Sequence, residues 1–392
     1  MVPRRSRLDW RDPGANRRAL CLLLRALCLL LALSFLAACA TGRREALPRP
    51  ESQLPAGAEA WSLFGEPLFA PSLDPDTLRD REKQLAEARA RFDSAPGDPG
   101  AVIWLGRRTA YLGHYREAIA IFSSGIERFP TEPRLYRHRG HRLLTTRRFD
   151  LAIADLEAAA RLIAGSADQI EPDGLPNPRN IPTSTLNSNV WYHLGLAHYL
   201  TADFEKALAA YRECLRFSTS PDMLVATTHW FYMTLRRLGR DAEAAAAVEP
   251  ILEGMDIIEN RDYHRLLLMY QRKLTPDALI AEAGDPASSI AFATVGYGIG
   301  NWHLFNGRRR EAVELFRRVI AAGSWTSFGY IAAEAELARM GVAPRNAAVN
   351  DRVAGQAQCV FAESSREHRS KVDGPDAVRD FALLDAMAPQ ER

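Results

Sequence analysis

The stretch WYHLGLAHYLTADFEKALAAY, residues 191–211, sets Trp191, Leu194 and Gly195 at the spacing W-x2-L-G, then Ala207 and Tyr211 at A-x3-aromatic. The same small and apolar positions recur around Gly106 and again, one repeat period further on, around Gly140. Glycine in a helix interior costs about 1 kcal/mol against alanine, so its return at 106, 140, 195 and 300 requires a packing reason, which a close helix crossing supplies. Ala118, Ala152, Ala207, Ala244 and Ala312 are read as keeping the facing helix equally close. Phe122, Leu156, Tyr211, Val248 and Phe316 are read as filling the seams between neighbouring units.

The first unit, near 99–132, reads Leu105-Gly106, Gly113, Tyr115, Ala118, Phe122, Gly125 and Pro130, and its successor Arg139-Gly140, Phe149, Ala152, Leu156 and Ala159. Gly195 follows Gly140 by one period plus an insertion. Later units are expected near 225–258 (Gly239, Ala244), 259–292 (Thr275-Pro276, Ala278) and 293–326 (Gly300, Gly307, Ala312, Phe316, Val319). FGYIAAEAELARMG reads as a closing helix. Asp74-Pro75 can start a helix whose Leu78, Leu85 and Phe92 cover the open end of the array.

A unit of about 34 residues with this pattern resembles the tetratricopeptide repeat (TPR), as found in bacterial TPR lipoproteins. The resemblance covers most of the chain from 99 to 341, with Arg139 in place of the usual leucine and little of the consensus kept in 259–292. It implies an all-α, right-handed superhelical solenoid of antiparallel helix pairs, about six repeats with an inserted loop. Residues 61–98 are read as an N-terminal capping segment, 99–164 as repeats 1–2, 165–187 as a proline-rich insertion, 188–341 as repeats 3–6 with the closing helix, and 342–392 as a loosely ordered tail.

The resemblance also implies a concave groove lined by first-helix positions 2, 5, 6, 9 and 13 of each unit. These fall on Arg107, Tyr111, Arg134, Arg137, His138, His141, Tyr192, His193, His229, Trp230, Arg237, Tyr297 and Asn301. The stripe is basic and aromatic, suited to a protein or peptide partner presenting an extended acidic segment. The insertion, with Pro172, Pro176, Pro178 and Pro182, cannot continue a helix and must loop out, as a lid, a partner contact or a plain connection.

The N-terminus reads as an address. Arg17, Arg18 and Arg25 precede an apolar run too short to span a bilayer comfortably, and the run ends in Leu36-Ala37-Ala38-Cys39. This resembles a bacterial lipobox, so residues 1–38 are expected to be a lipoprotein signal peptide, Cys39 the lipidated residue and 39–60 a flexible tether. Ala40 in place of an aspartate favours the periplasmic face of the outer membrane.

Seven arginines and two aspartates lie in 1–38, so the formal net charge of +2 conceals a weakly acidic remainder. Nucleic acid is not an expected partner. Only Cys214 and Cys359 lie beyond Cys39, and no disulfide framework follows. His138 with His141, and His193 with His198, lack the carboxylate or cysteine that would complete a metal set, so neither metal nor cofactor is expected. No nucleophile, zinc or phosphate-loop motif argues for catalysis. The expected function is a lipid-anchored, periplasm-facing adaptor. The rival is an envelope hydrolase or glycan-binding protein using Ser184, His193 and acidic groups of the insertion, which requires a closed pocket there, whereas an adaptor requires a long open groove.

Overall fold

The computed structural model describes residues 51–172, 174–284 and 290–344. The expected leader, Cys39, the first part of the expected tether and the expected tail from 345 onward lie outside them. Five helices begin at a proline preceded by a capping side chain, the arrangement in which a fixed φ and a missing N–H cost nothing. Asp74, Asp98, Glu132, Ser220 and Thr275 each accept from backbone N–H groups of the first turn, ahead of Pro75, Pro99, Pro133, Pro221 and Pro276.

A helix α1 (Pro75–Ser94) leads into six helix pairs among the described residues. They are α2 (Pro99–Tyr111) with α3 (Tyr115–Arg128), α4 (Pro133–Thr145) with α5 (Phe149–Ile163), and α6 (Leu186–Leu200) with α7 (Phe204–Phe217). Then come α8 (Pro221–Arg237) with α9 (Asp241–Val248), α10 (Arg261–Tyr270) with α11 (Pro276–Glu282), and α12 (Ile290–Phe305) with α13 (Arg309–Ala321). A last helix, α14 (Phe328–Arg339), follows. The architecture is the expected all-α repeat solenoid, and one apolar cluster runs along it from Ala60 to Leu337.

The recurrent glycines have a shared cause. A Cβ on Gly106 would lie 2.4 Å from the Phe122 ring, on Gly140 2.8 Å from Leu156, on Gly195 2.6 Å from Tyr211 and on Gly300 2.6 Å from Phe316. Each glycine makes room for the large residue 16 positions later in its own pair. Beyond the expected filling of seams between units, Phe122, Leu156, Tyr211 and Phe316 occupy the space the missing side chain leaves within the unit. Arg139, the departure from consensus, uses the same offset. It grips Asp155 bidentately at 2.7 Å through Nε and Nη2, and donates to Ser123.

The expected flexible tether, 39–60, ends in a strand. Residues Ala58–Trp61 (β1) and Pro67–Phe69 (β2) form an antiparallel hairpin with an irregularity between Ala58 and Ala60. Ala58 and Ala60 are buried, and the Glu59 carboxylate accepts from the Arg116 N–H at the start of α3. Trp325 Nε1 donates to Phe69 O at 2.7 Å. Glu334 of α14 accepts from the Leu63 N–H at 2.8 Å and from Arg147 Nε at 2.8 Å. Both ends of the array thus meet at the α4–α5 turn.

Candidate partner-binding face

The first helices α2, α4, α6, α8 and α12 carry the stripe of cations and rings, and the structure gathers it into two groups. Around α4 and α6, Arg137 is wholly buried and pairs with Glu171 of the insertion, Nε to Oε2, at 3.3 Å. Its Nη1 donates to His138 Nδ1 at 3.1 Å, while His138 Nε2 lies 3.7 Å from Glu171 and its ring stacks on Phe122. Arg107 donates to the Pro172 carbonyl and to the Tyr111 hydroxyl, and lies over the Trp104 ring. Arg134 folds back onto Glu132, its own helix cap, at 2.7 Å. His141, Tyr192 and His193 surround Phe328 of α14, with the two imidazoles 4.5 Å apart between centroids.

The second group lies between α6, α8, α12 and α14. Trp230 packs edge-on to Tyr199 and stacks on Tyr297. The Tyr199 hydroxyl accepts from Tyr297 Oη and from Asn301 Nδ2, both at 2.9 Å. Burial pushes the Tyr199 hydroxyl up to about 12, so it stays protonated across the physiological range. Arg237 donates to Glu336 and lies over the Phe204 ring. His229 is stacked between Tyr263 and Tyr270, and burial lowers its imidazole to about 3.

The open groove expected along this stripe is therefore corrected. Arg107, Tyr111, Arg137, His138, His141, Tyr192, His193, His229, Trp230, Tyr297 and Asn301 are at most 5% exposed; of the thirteen, Arg134 and Arg237 keep partial access. The covering groups come from the same chain. The insertion seats Glu171 on α4 and α6, where Asn189 Nδ2 donates at 2.9 Å to Oε2, the oxygen that also faces Arg137 Nε. Helix α14 seats Phe328, Glu334 and Glu336 against α4, α6, α8 and the α4–α5 turn. A buried carboxylate persists where it is paired and hydrogen-bonded. These three each meet at least one arginine.

Glu171, Glu334, Glu336, Arg147, Trp325 and Arg339 are the residues of this face that the repeat pattern misses. A usable signal was two glutamates, Glu334 and Glu336, inside an otherwise apolar and alanine-rich helix.

The groups named for a hydrolytic site are buried in the insertion's seat. Ser184 Oγ accepts from Asn189 Nδ2 at 3.1 Å, and His193 Nδ1 meets the Asn189 carbonyl at 2.7 Å. Both residues are at most 5% exposed, which leaves a polymer chain no route to the hydroxyl. His198, weighed with His193 only as a metal pair and set aside, is likewise buried.

Family models for the tetratricopeptide repeat match residues 105–167 and 188–220, the pairs on either side of the insertion. No curated protein matches the chain. Among solved structures, the chain is similar to YrrB, described as a TPR protein with an unusual peptide-binding site. Identity there is 14%, with 60% of this chain and 91% of that one covered and a TM-score of 0.35. It is also similar to a tetratricopeptide repeat protein from Parabacteroides merdae, at 12% identity, 65% and 93% coverage and a TM-score of 0.40. Six helix pairs, glycines seated beneath the large residue 16 positions on and two repeat matches place the chain in the tetratricopeptide-repeat family, a scaffold fold for protein interaction.

Proposed function

We propose that this chain is a lipid-anchored scaffold of the cell envelope that faces the periplasm and holds a protein partner by an acidic segment. One observation carries the reading. Side chains of α2 and α4 already hold one carboxylate and the carbonyl beside it, Glu171-Pro172, through Arg137, His138 and Arg107. A partner segment of the same chemistry, a carboxylate beside a backbone carbonyl, suits the same seat, with the insertion as its occupant in the unbound chain. The address supports the location: Cys39 ends a lipobox-like run, and Ala40 follows it.

The test is capture in cells. A photo-crosslinking side chain replaces Ile170, which is 64% exposed at the edge of the seat. In a second background, residues 171–183 are exchanged for a glycine-serine run of equal length, leaving the crosslinker at 170 in place. The exchanged insertion should raise capture of one recurrent partner, and Arg137→Ala should abolish it. Equal capture in all three backgrounds would remove the seat from the reading. Fatty-acid labelling that persists in Cys39→Ala would remove the anchor.

A further inference from the structure

Between the C-terminal ends of α8, α12 and α14 and the start of α13 lies a recess of about 560 Å³. Four arginines line it, Arg236, Arg237, Arg309 and Arg339, with Glu336 as the single carboxylate of the lining. Arg237 Nη1 and Arg339 Nη2 donate to the same oxygen, Oε1 of Glu336. Glu336 is buried, so one negative charge is shared by two guanidinium groups. Arg236 Nε meets Asp241, which lies outside the lining, at 2.8 Å, and its guanidinium covers the Phe305 ring at 4.3 Å. Arg309, exposed, has its Nη2 3.4 Å from the Met340 carbonyl, a neutral acceptor. The buried Nε of Arg339 has no hydrogen-bond partner.

With Asp241 included, four positive charges face two negative ones, and donor capacity remains on Arg309 and Arg339. Helix C-termini attract cations, which accounts for arginines near the ends of α8 and α14. It does not account for Arg309, which stands in the first turn of α13, where a helix favours anions.

We propose that this recess binds a phosphate group, the tetrahedral dianion whose charge matches the surplus and whose oxygens can accept from several guanidinium groups at once. Its volume falls within the range of small-molecule sites. Leu304, Phe305 and Met340 add an apolar wall, which suits a phosphate monoester carrying an organic body better than the free ion. The proposal is independent of the partner seat at α4, since it uses none of the residues around Glu171.

The test is calorimetric titration of the full chain at constant ionic strength with phenyl phosphate, inorganic phosphate and, as a dicarboxylate of equal charge, succinate. Phenyl phosphate should give a saturable one-to-one isotherm that weakens at high salt. Arg309→Ala should weaken it roughly tenfold or more, the range for losing a charge-assisted hydrogen bond. Arg310→Ala, one position along on the exposed face, should leave it within about twofold, as expected of a screened surface charge. Because Arg309 is exposed, its removal leaves the fold intact, and far-ultraviolet circular dichroism checks this.

Tighter binding of phenyl phosphate than of inorganic phosphate supports the ester with its organic body. Equal affinity for the two, both lost in Arg309→Ala, supports a site for the free ion. Absence of saturable heat, an unchanged isotherm in Arg309→Ala, or succinate binding as tightly as phenyl phosphate would overturn the assignment.

Discussion

Gly195 and His229 show how single residues carry this array. Gly195 has no room for a Cβ, because Tyr211, wholly buried, lies where it would go. Gly195→Leu forces that ring out of its slot, and overpacking of this kind costs roughly 1 to 3 kcal/mol. Gly254, with nothing within 4 Å of its Cβ position, is the control. Urea melts should move for Gly195→Leu and hardly for Gly254→Leu; equal midpoints would count against the crossing. His229 acts through charge. Its folded pKa is lowered from 6.5 to about 3 by burial, so below pH 6.5 the unfolded chain binds a proton the folded chain refuses. Its contribution is therefore constant above 6.5 and turns against folding as pH falls, by about 1.4 kcal/mol per unit. Between pH 7 and 5, wild type should lose about 2 kcal/mol more than His229→Gln. Parallel losses in the two proteins would show that the imidazole titrates normally.

At the scale of elements, the insertion is largely exposed but pinned to the array at buried points, among them Glu171, Asn177, Thr183 and Ser184. Its base is closed by an Ile170–Thr185 bridge and by Leu186 N donating to Gln169 O, and Thr185 then forms a capping box with Ser188. Its Glu171 reaches back to α4. Glu171→Gln keeps the shape and removes the charge, so the insertion's amides should exchange with solvent roughly 10- to 100-fold faster while those of α6 and α7 are unchanged. If exchange in 165–183 does not move, the Arg137 pair is not what holds the loop.

Much of this level was readable in the sequence. A capping residue before proline marks five helix starts, and the glycine-to-large offset of 16 marks the pairs. Arg139 and Asp155 share that offset, so the apparent departure from consensus was itself legible as a pair. What was not legible is what covers the concave face. Periodicity tells which side of a helix turns inward, but not whether a loop beyond the next helix, or a helix from the far end of the array, arrives there first. The hairpin at 58–69 was missed for another reason: two strands of four and three residues, one of them half alanine, are too short for an alternating pattern.

For the whole molecule, closure decides what the fold offers to a partner. Turns between paired helices each carry one left-handed residue, glycine at 113, 239 and 307 but Arg147, Ala202 and Arg272 in the other three. A non-glycine residue there costs about 1 kcal/mol or more, and Arg147 gives a return for it. Its side chain, 3% exposed, donates to Glu334 and to the Trp325 carbonyl and lies over the Trp325 and Tyr330 rings. Glu334 in turn accepts from Leu63 beside the hairpin, so one ion pair joins the N-terminal hairpin, the α4–α5 turn and α14. Removing one partner of a buried pair leaves the other charge uncompensated, at about 3 to 5 kcal/mol. Glu334→Gln is the informative single change, because its amide oxygen can still accept from Leu63 while the charge is gone. Arg147→Met and the double variant complete a cycle. The double variant should lose at least about 1 kcal/mol less than the sum of the singles, since neither then leaves a stranded charge. The exposed Arg216–Glu213 pair, with side chains 70% and 39% accessible, should give a coupling below about 0.5 kcal/mol in the same assay. Additive losses at Arg147 and Glu334 would mean that the two ends merely touch, and that the concave face opens without breaking this pair.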